Sequence, residues 1–137
     1  MDKTTKNKLI KAAFSAREKA YCPYSGFAVG AALLSKSGGI FTGANVENGS
    51  LSATVCAERS AVFSAVSKGE REFAAIAVVG GEAGKAPENI ITPCGVCRQV
   101  LSEFCGGDFL VVCASEKESR EYKLSGLMPQ AFQLNSK

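Results

Sequence analysis

The sequence predicts an α/β layered domain built on a mixed sheet, and three observations predict it. Helical and extended segments follow one another as α-β-β-α-β-α-β-β, an order that layers helices against a sheet. The segment 73–79, Phe-Ala-Ala-Ile-Ala-Val-Val, is almost continuously apolar, as a strand covered on both faces must be. The chain has 137 residues, 46% hydrophobic and 21% charged, enough for one core and hardly for two. Residues 1–137 are therefore expected to form a single domain.

Residues 4–20 place Leu9, Ile10, Ala13, Phe14, Ala16, Arg17 and Ala20 at helical spacing with lysines between them, the pattern of an amphipathic helix. Residues 21–27 (Y-C-P-Y-S-G-F) contain Pro23 and Gly26 and form a loop. Apolar runs at 28–34 and 39–43 flank Ser37-Gly38-Gly39, a hairpin turn. Residues 45–53 are a polar loop. Residues 54–68 form a second helix, apolar on most sides through Ala57, Ala61, Val62, Phe63, Ala65 and Val66, and so buried between layers, with Gly69 suiting its end. After the strand at 73–79 comes a Gly- and Pro-containing loop. A third helix spans 94–104, followed by a strand at 108–113, a weaker one at 120–124, and a tail that turns around Pro129.

The totals exclude several function classes. A net charge of +3 with no block of basic residues argues against a nucleic-acid partner. No apolar run approaches the ~18–20 residues of a membrane span. The polar start lacks the apolar stretch of a signal peptide, so the expected location is cytoplasmic. There are six cysteines and no histidine. In a cytoplasmic chain cysteines point to metal binding or catalysis rather than a disulfide framework. The missing histidine removes every Ser-His or Cys-His mechanism, so a zinc site here must use thiolates, carboxylates and water.

Two short strings carry the chemistry. Residues 93–98 read P-C-G-V-C-R. A C-x-x-C taken alone is a redox dithiol, half of a zinc site, or two inert thiols. At a helix N-terminus the dipole favours the thiolate that a metal requires. Residues 54–60 read T-V-C-A-E-R-S and add Cys56 at the start of another helix. Cys56, Cys94 and Cys97 can close three corners of a tetrahedron around Zn²⁺, and no motif offers a fourth cysteine. Three protein ligands with one open corner are the arrangement of a catalytic zinc. Glu58, beside the metal without ligating it, can take and deliver a proton. On a regular helix residues two apart point about 200° from each other, so Cys56 and Glu58 share a pocket only if Cys56 lies where the chain enters the helix. Zn²⁺ with three thiolates carries a net negative charge. Arg59 donating to a sulfur would offset part of it, with Arg98 the alternative donor and a plain surface charge the bland reading of Arg59.

C-A-E-R at 56–59 with P-C-G-V-C-R at 93–98 resembles the zinc-dependent cytidine deaminases. The likeness extends to Y-C-P-Y-S-G-F-A-V-G-A-A-L at 21–33, G-A-N-V-E-N at 43–48 and P-Q-A-F at 129–132, and so covers almost the whole chain. It is closest to the small homotetrameric, three-cysteine type. The resemblance implies a three-layer α-β-α domain with about five strands. It implies one Zn²⁺ per subunit held by Cys56, Cys94 and Cys97, and catalysis by Glu58. Hydroxide generated at the zinc would attack C4 of cytidine or deoxycytidine while Glu58 carries the proton to N3 and onward to the leaving ammonia, as in pyrimidine salvage. The Ala57 backbone would meet the base, and Asn45, Val46 and Glu47 would form the ribose-binding element, with Asn45 and Glu47 on the 3′-hydroxyl. Without the resemblance N-V-E-N would be a polar turn. Phe27 is similar to the aromatic that packs on the base, and Phe132 to one that enters a neighbouring subunit's site; the bland reading of each is core packing. The family often places an aromatic where this chain has Leu51, which bears on interface packing and substrate preference.

Three rivals stand beside this reading. A deaminase of another small cytosine-type nucleoside such as blasticidin S keeps the chemistry and changes the substrate. A polynucleotide-editing deaminase needs positive surface and aromatic contacts for flanking nucleotides, and a chain with 8% aromatic residues offers little of either. A zinc-stabilised binding module needs a closed four-ligand site and no carboxylate facing the metal.

Overall fold

The computed structural model describes residues 1–134. Helix α1 (Lys3–Arg17) opens on Asp2, whose carboxylate accepts the Thr5 amide at 2.7 Å and so satisfies one of the helix's free N–H groups. Strands β1 (Phe27–Ser35) and β2 (Ile40–Ala44) form the expected hairpin, with Gly38 at φ +99° in its turn. A 3-10 turn at Leu51–Ala53 precedes helix α2 (Ala57–Ser67). Strand β3 (Phe73–Glu82), helix α3 (Gly95–Phe104), strands β4 (Leu110–Ala114) and β5 (Ser119–Lys123) and a short helix α4 (Leu124–Leu127) follow.

The five strands lie in the order β2-β1-β3-β4-β5. All neighbours are antiparallel except β3 and β4, so the sheet is mixed as expected. Side chains alternate across it. Ala31, Leu33, Ile76, Val78, Val111 and Cys113 meet α2 and α3 on one face. Ala32, Ala75, Ala77, Val79, Val112 and Ala114 meet Leu9 and Ala13 of α1 on the other. This is the three-layer arrangement.

Several boundaries differ from the sequence reading, each for a physical reason. α1 stops at Arg17, and the amides of Glu18, Lys19 and Ala20 bond to carbonyls three residues back, the tighter turn that often ends a helix. β3 runs through Gly80 and Gly81 to Glu82, where a loop was expected. It does so because Phe27, Ala28 and Val29 pair with those residues. Helices two and three begin at Ala57 and Gly95, immediately after Cys56 and Cys94. α2 is not buried all round: Phe63 is 47% exposed. The tail adds the short helix α4, and the expected turn follows at Pro129 and Gln130.

Two glycines bring the helices onto the sheet. A Cβ at Gly30 would meet the Ala13 carbonyl at 2.1 Å and the Arg17 amide at 2.5 Å. One at Gly43 would meet the Ala61 amide at 2.5 Å and the Ala57 carbonyl at 2.6 Å. Each absent side chain lets a helix backbone rest directly on a strand, α1 on β1 and α2 on β2.

Candidate active site

Cys56 and Cys94 stand in matching positions, each immediately ahead of a helix. Cys56 has φ −69° and ψ 157°, Cys94 φ −67° and ψ 169°. Their carbonyls accept the first helical hydrogen bonds, from Ser60 and Arg98. Neither thiol caps its helix, so both are free to face each other. The extended backbone at Cys56 meets the condition set by the sequence: the 200° offset of a regular helix does not apply across Cys56 and Glu58. Cys97, in the first turn of α3, is buried.

The three sulfurs lie within 4.8 Å of one another, with Cys56–Cys94 at 3.9 Å and Cys94–Cys97 at 3.5 Å. Three thiolates at ~2.3 Å from one tetrahedral zinc would be spaced about 3.8 Å apart, so the cluster fits that ion. Among the described residues neither Cys22, Cys105, Cys113 nor Glu58 joins it, which leaves a tetrahedral ion one corner unfilled by protein.

The charges around the cluster are mutually arranged. The hydrogen bond with Cys97 holds the Cys56 thiol down to about 5 against the cost of burial, with Arg59 assisting. The same bond pushes Cys97 upward. Glu58 is 4% exposed. Burial lifts its carboxyl to about 7 and the Cys56 charge adds to that lift, while Arg59 opposes it. Arg59 donates from Nη2 to Cys56 Sγ and to the Thr54 carbonyl, both at 3.4 Å. Its Nε is buried and has no hydrogen-bond partner among the described residues. Arg98 is engaged elsewhere: it donates to the Pro93 carbonyl at 2.7 Å, the Leu127 carbonyl at 2.6 Å and Thr92 Oγ1 at 3.0 Å. It braces the cysteine turn against α4, so of the two arginines only Arg59 reaches sulfur.

The 45–47 segment is a loop, as expected, pinned on both sides by isolated bridges at Val46. Val46 exchanges both backbone hydrogen bonds with Val55, and Tyr21 bonds to Asn45 and Glu47 on either side. This stitching ends one residue before Cys56 and ties the segment to the cluster. Asn45 is buried. Its Oδ1 accepts the Val29 amide at 2.9 Å and its Nδ2 donates to the Phe27 carbonyl at 2.8 Å, which leaves one N–H of the amide free among the described residues. Glu47 Oε1 accepts the amides of Tyr24 and Ser25 at 2.9 and 3.0 Å, and Oε2 accepts the Ser25 hydroxyl. These donors hold its carboxyl below the usual range.

Phe27 is 40% exposed, its ring against β3: a Cβ at Gly80 would meet Phe27 Cε2 at 3.2 Å. It borders a cleft of about 320 Å³ shared with Gly80, Gly81 and Ile91. A larger hollow of about 500 Å³, lined by Phe14, Arg17, Cys22, Pro87 and Glu116, contains none of the expected site residues. Ala57 is fully buried. Phe132 is 64% exposed and joins neither apolar cluster, so it is not a core residue; its carbonyl accepts from Gln99 Nε2 at 3.1 Å. Leu51 is exposed in its 3-10 turn. Sequence reasoning missed Ser25, which ties the Phe27 amide to Glu47. Its signal was a hydroxyl two residues ahead of a strand, the position of a local side-chain turn.

Comparison with known proteins agrees with this geometry. A family model described as the cytidine and deoxycytidylate deaminase zinc-binding region matches residues 3–113. The cytidine deaminase of Sporosarcina psychrophila is 48% identical over 126 residues, 91% of this chain and 89% of the relative. The crystal structure of cytidine deaminase from Burkholderia pseudomallei aligns with a TM-score of 0.86 at 47% identity, covering 96% of this chain and all of that one. The blasticidin-S deaminase of Bacillus cereus is more distant, 33% identical over 87 residues, 61% of this chain.

Proposed function

The chain belongs to the zinc-dependent cytidine and deoxycytidylate deaminases, and from that premise we propose how its residues divide the work of a hydrolytic deaminase. The reaction is the conversion of cytidine or deoxycytidine to the uracil nucleoside and ammonia. The observation that carries this reading is the three-thiol cluster with the buried Glu58 carboxyl beside it.

Cys56, Cys94 and Cys97 hold the metal. Bound there, zinc supplies a Lewis acid that lowers the pKa of water to ~7. Glu58, shielded from solvent, holds a proton at N3 of the pyrimidine and passes it to the departing amino group. Arg59 offsets thiolate charge at Cys56, which preserves the electrophilicity of the metal. The Ala57 backbone meets the base edge and Phe27 packs on its face. Asn45 offers its remaining N–H to the ribose 3′-hydroxyl, and Glu47 offers an acceptor, with Val46 holding the two in line.

The reading extends to residues 1–137 as one domain working as a homotetramer whose sites lie at subunit interfaces. Exposed Leu51, Phe63, Val96 and Phe132 support it, being apolar groups that a partner would cover. A cytoplasmic location is supported by six unpaired cysteines, which an oxidising compartment would tend to pair. The small net charge supports a free nucleoside over a nucleic-acid partner.

Metal analysis combined with the cytidine-to-uridine absorbance assay tests the proposal, with deoxycytidine and blasticidin S run alongside. One zinc per chain and turnover of cytidine are expected. Turnover of blasticidin S alone would move the substrate assignment. Light scattering tests the assembly, and an active monomer would refute it.

A further inference from the structure

Arg17 is a buried guanidinium, 7% exposed, with no carboxylate partner among the described residues. Burying such a charge is unfavourable unless its donors are satisfied. Three carbonyls satisfy them: Nε donates to Ala28 at 3.0 Å, and Nη2 to Gly81 at 3.0 Å and Glu82 at 2.8 Å. All three acceptors belong to one place, where the start of β1 pairs with the end of β3. A strand end of this kind ordinarily frays.

That place adjoins the nucleoside wall. Phe27 is the first residue of β1 and pairs with Glu82. Its amide donates to Ser25 Oγ and its carbonyl accepts from Asn45 Nδ2, while Asn45 Oδ1 accepts the Val29 amide. The backbone of 27–29 is thus gripped by Ser25 and Asn45 from the site side and by Arg17 from α1. Helix α1 packs on the sheet face opposite α2 and α3, whose N-termini carry the cysteines. Gly30 lets α1 approach closely enough for Arg17 to reach.

We propose that Arg17 is a positioning residue for substrate binding, holding Phe27 and Asn45 in register from the far side of the sheet without influence on the metal. This rests on the assignment of Phe27 and Asn45 to the nucleoside site. A guanidinium fork can serve three carbonyls at once; a lysine ammonium on a flexible stem cannot hold the same planar geometry.

The test is steady-state kinetics of zinc-loaded Arg17→Lys and Arg17→Ala beside wild type. KM for cytidine rises about tenfold while kcat stays within about twofold, the signature of lost binding common to ground and transition states. Zinc remains at one per chain. Guanidinium ion at low concentration lowers KM of Arg17→Ala and leaves wild type unchanged. A lowered melting temperature with unchanged KM overturns the proposal, as does a fall in kcat alone. If neither variant folds, hydrogen exchange of the wild-type holoenzyme decides: the Phe27 and Val29 amides should exchange as slowly as those of central β3, and exchange as fast as in the 36–39 turn overturns it. Wild type without cytidine turnover would instead defeat the functional assignment and leave the exchange result standing.

Discussion

Gly43→Ala is the most direct probe of how the fold aims the site. Gly43 lies on β2 under the first turn of α2. The new Cβ would sit 2.5 Å from the Ala61 amide, 2.6 Å from the Ala57 carbonyl and 2.8 Å from Ser60 Cβ. The two closest partners are backbone, so no rotamer change relieves the clash. Ordinary contact begins at 3.4 Å, so the helix must retreat by about 0.9 Å. Cys56 and Glu58 are joined to that turn and move with it. Overpacking of this kind costs about 1–3 kcal/mol, and a displacement near 1 Å at a reacting group costs ~10²-fold in rate. The expected result is a ~10²-fold loss of kcat/KM in the cytidine absorbance assay, with a measurable fall in zinc affinity. Gly106→Ala, where nothing lies within 4 Å, is the control. Gly43→Ala with activity within threefold of wild type would refute the claim that α2 is set on β2 by backbone contact.

Glu58→Gln should keep its zinc and lose ~10²–10⁴-fold in kcat, the usual contribution of a positioned acid-base group; full activity at full zinc loading would remove Glu58 from proton transfer. Arg59→Ala leaves Cys56 Sγ without its N–H donor, and zinc affinity measured by chelator competition should fall about 10–100-fold, whereas an unchanged affinity would make Arg59 a bystander. The Cys105 thiol is pushed up to about 12 by burial, above an ordinary thiol near 8.5. Its folded-state pKa is raised, so its stabilising contribution is complete below pH ~8.5 and is lost as pH climbs toward 12. Urea unfolding should therefore show stability declining across that window by at most ~1.4 kcal/mol per pH unit from this thiol, and Cys105→Ala should show a shallower decline; identical slopes would contradict the burial argument.

The chemistry of the site was legible locally. P-C-G-V-C-R and T-V-C-A-E-R-S confine the three clustered thiols and the buried Glu58 carboxyl to a few residues each, and the missing histidine excluded histidine-based alternatives. Strands β1, β3 and β4 followed from hydrophobic runs, since a strand covered on both faces leaves a continuous apolar signature, whereas β5, Ser-Arg-Glu-Tyr-Lys, is mostly exposed and left a weaker one. Arg17 was visible too, as a charge on the apolar stripe of α1, but nothing local said what it would bond to. Its acceptors lie up to 65 positions away.

The sequence by itself determined which candidate groups this protein offers to a reaction: three thiols, one carboxyl, an N-V-E element and an arginine beside the first cysteine. The tertiary structure decided their use. It put Cys56 and Cys94 outside their helices in extended backbone, chose Arg59 over Arg98 as the sulfur's donor, spent most of the Asn45 amide on β1, and stripped solvent from Glu58. The reason is physical: a residue's type is a local property, whereas its burial and hydrogen-bond partners depend on sheet register and helix approach, which residues far apart in the chain set together.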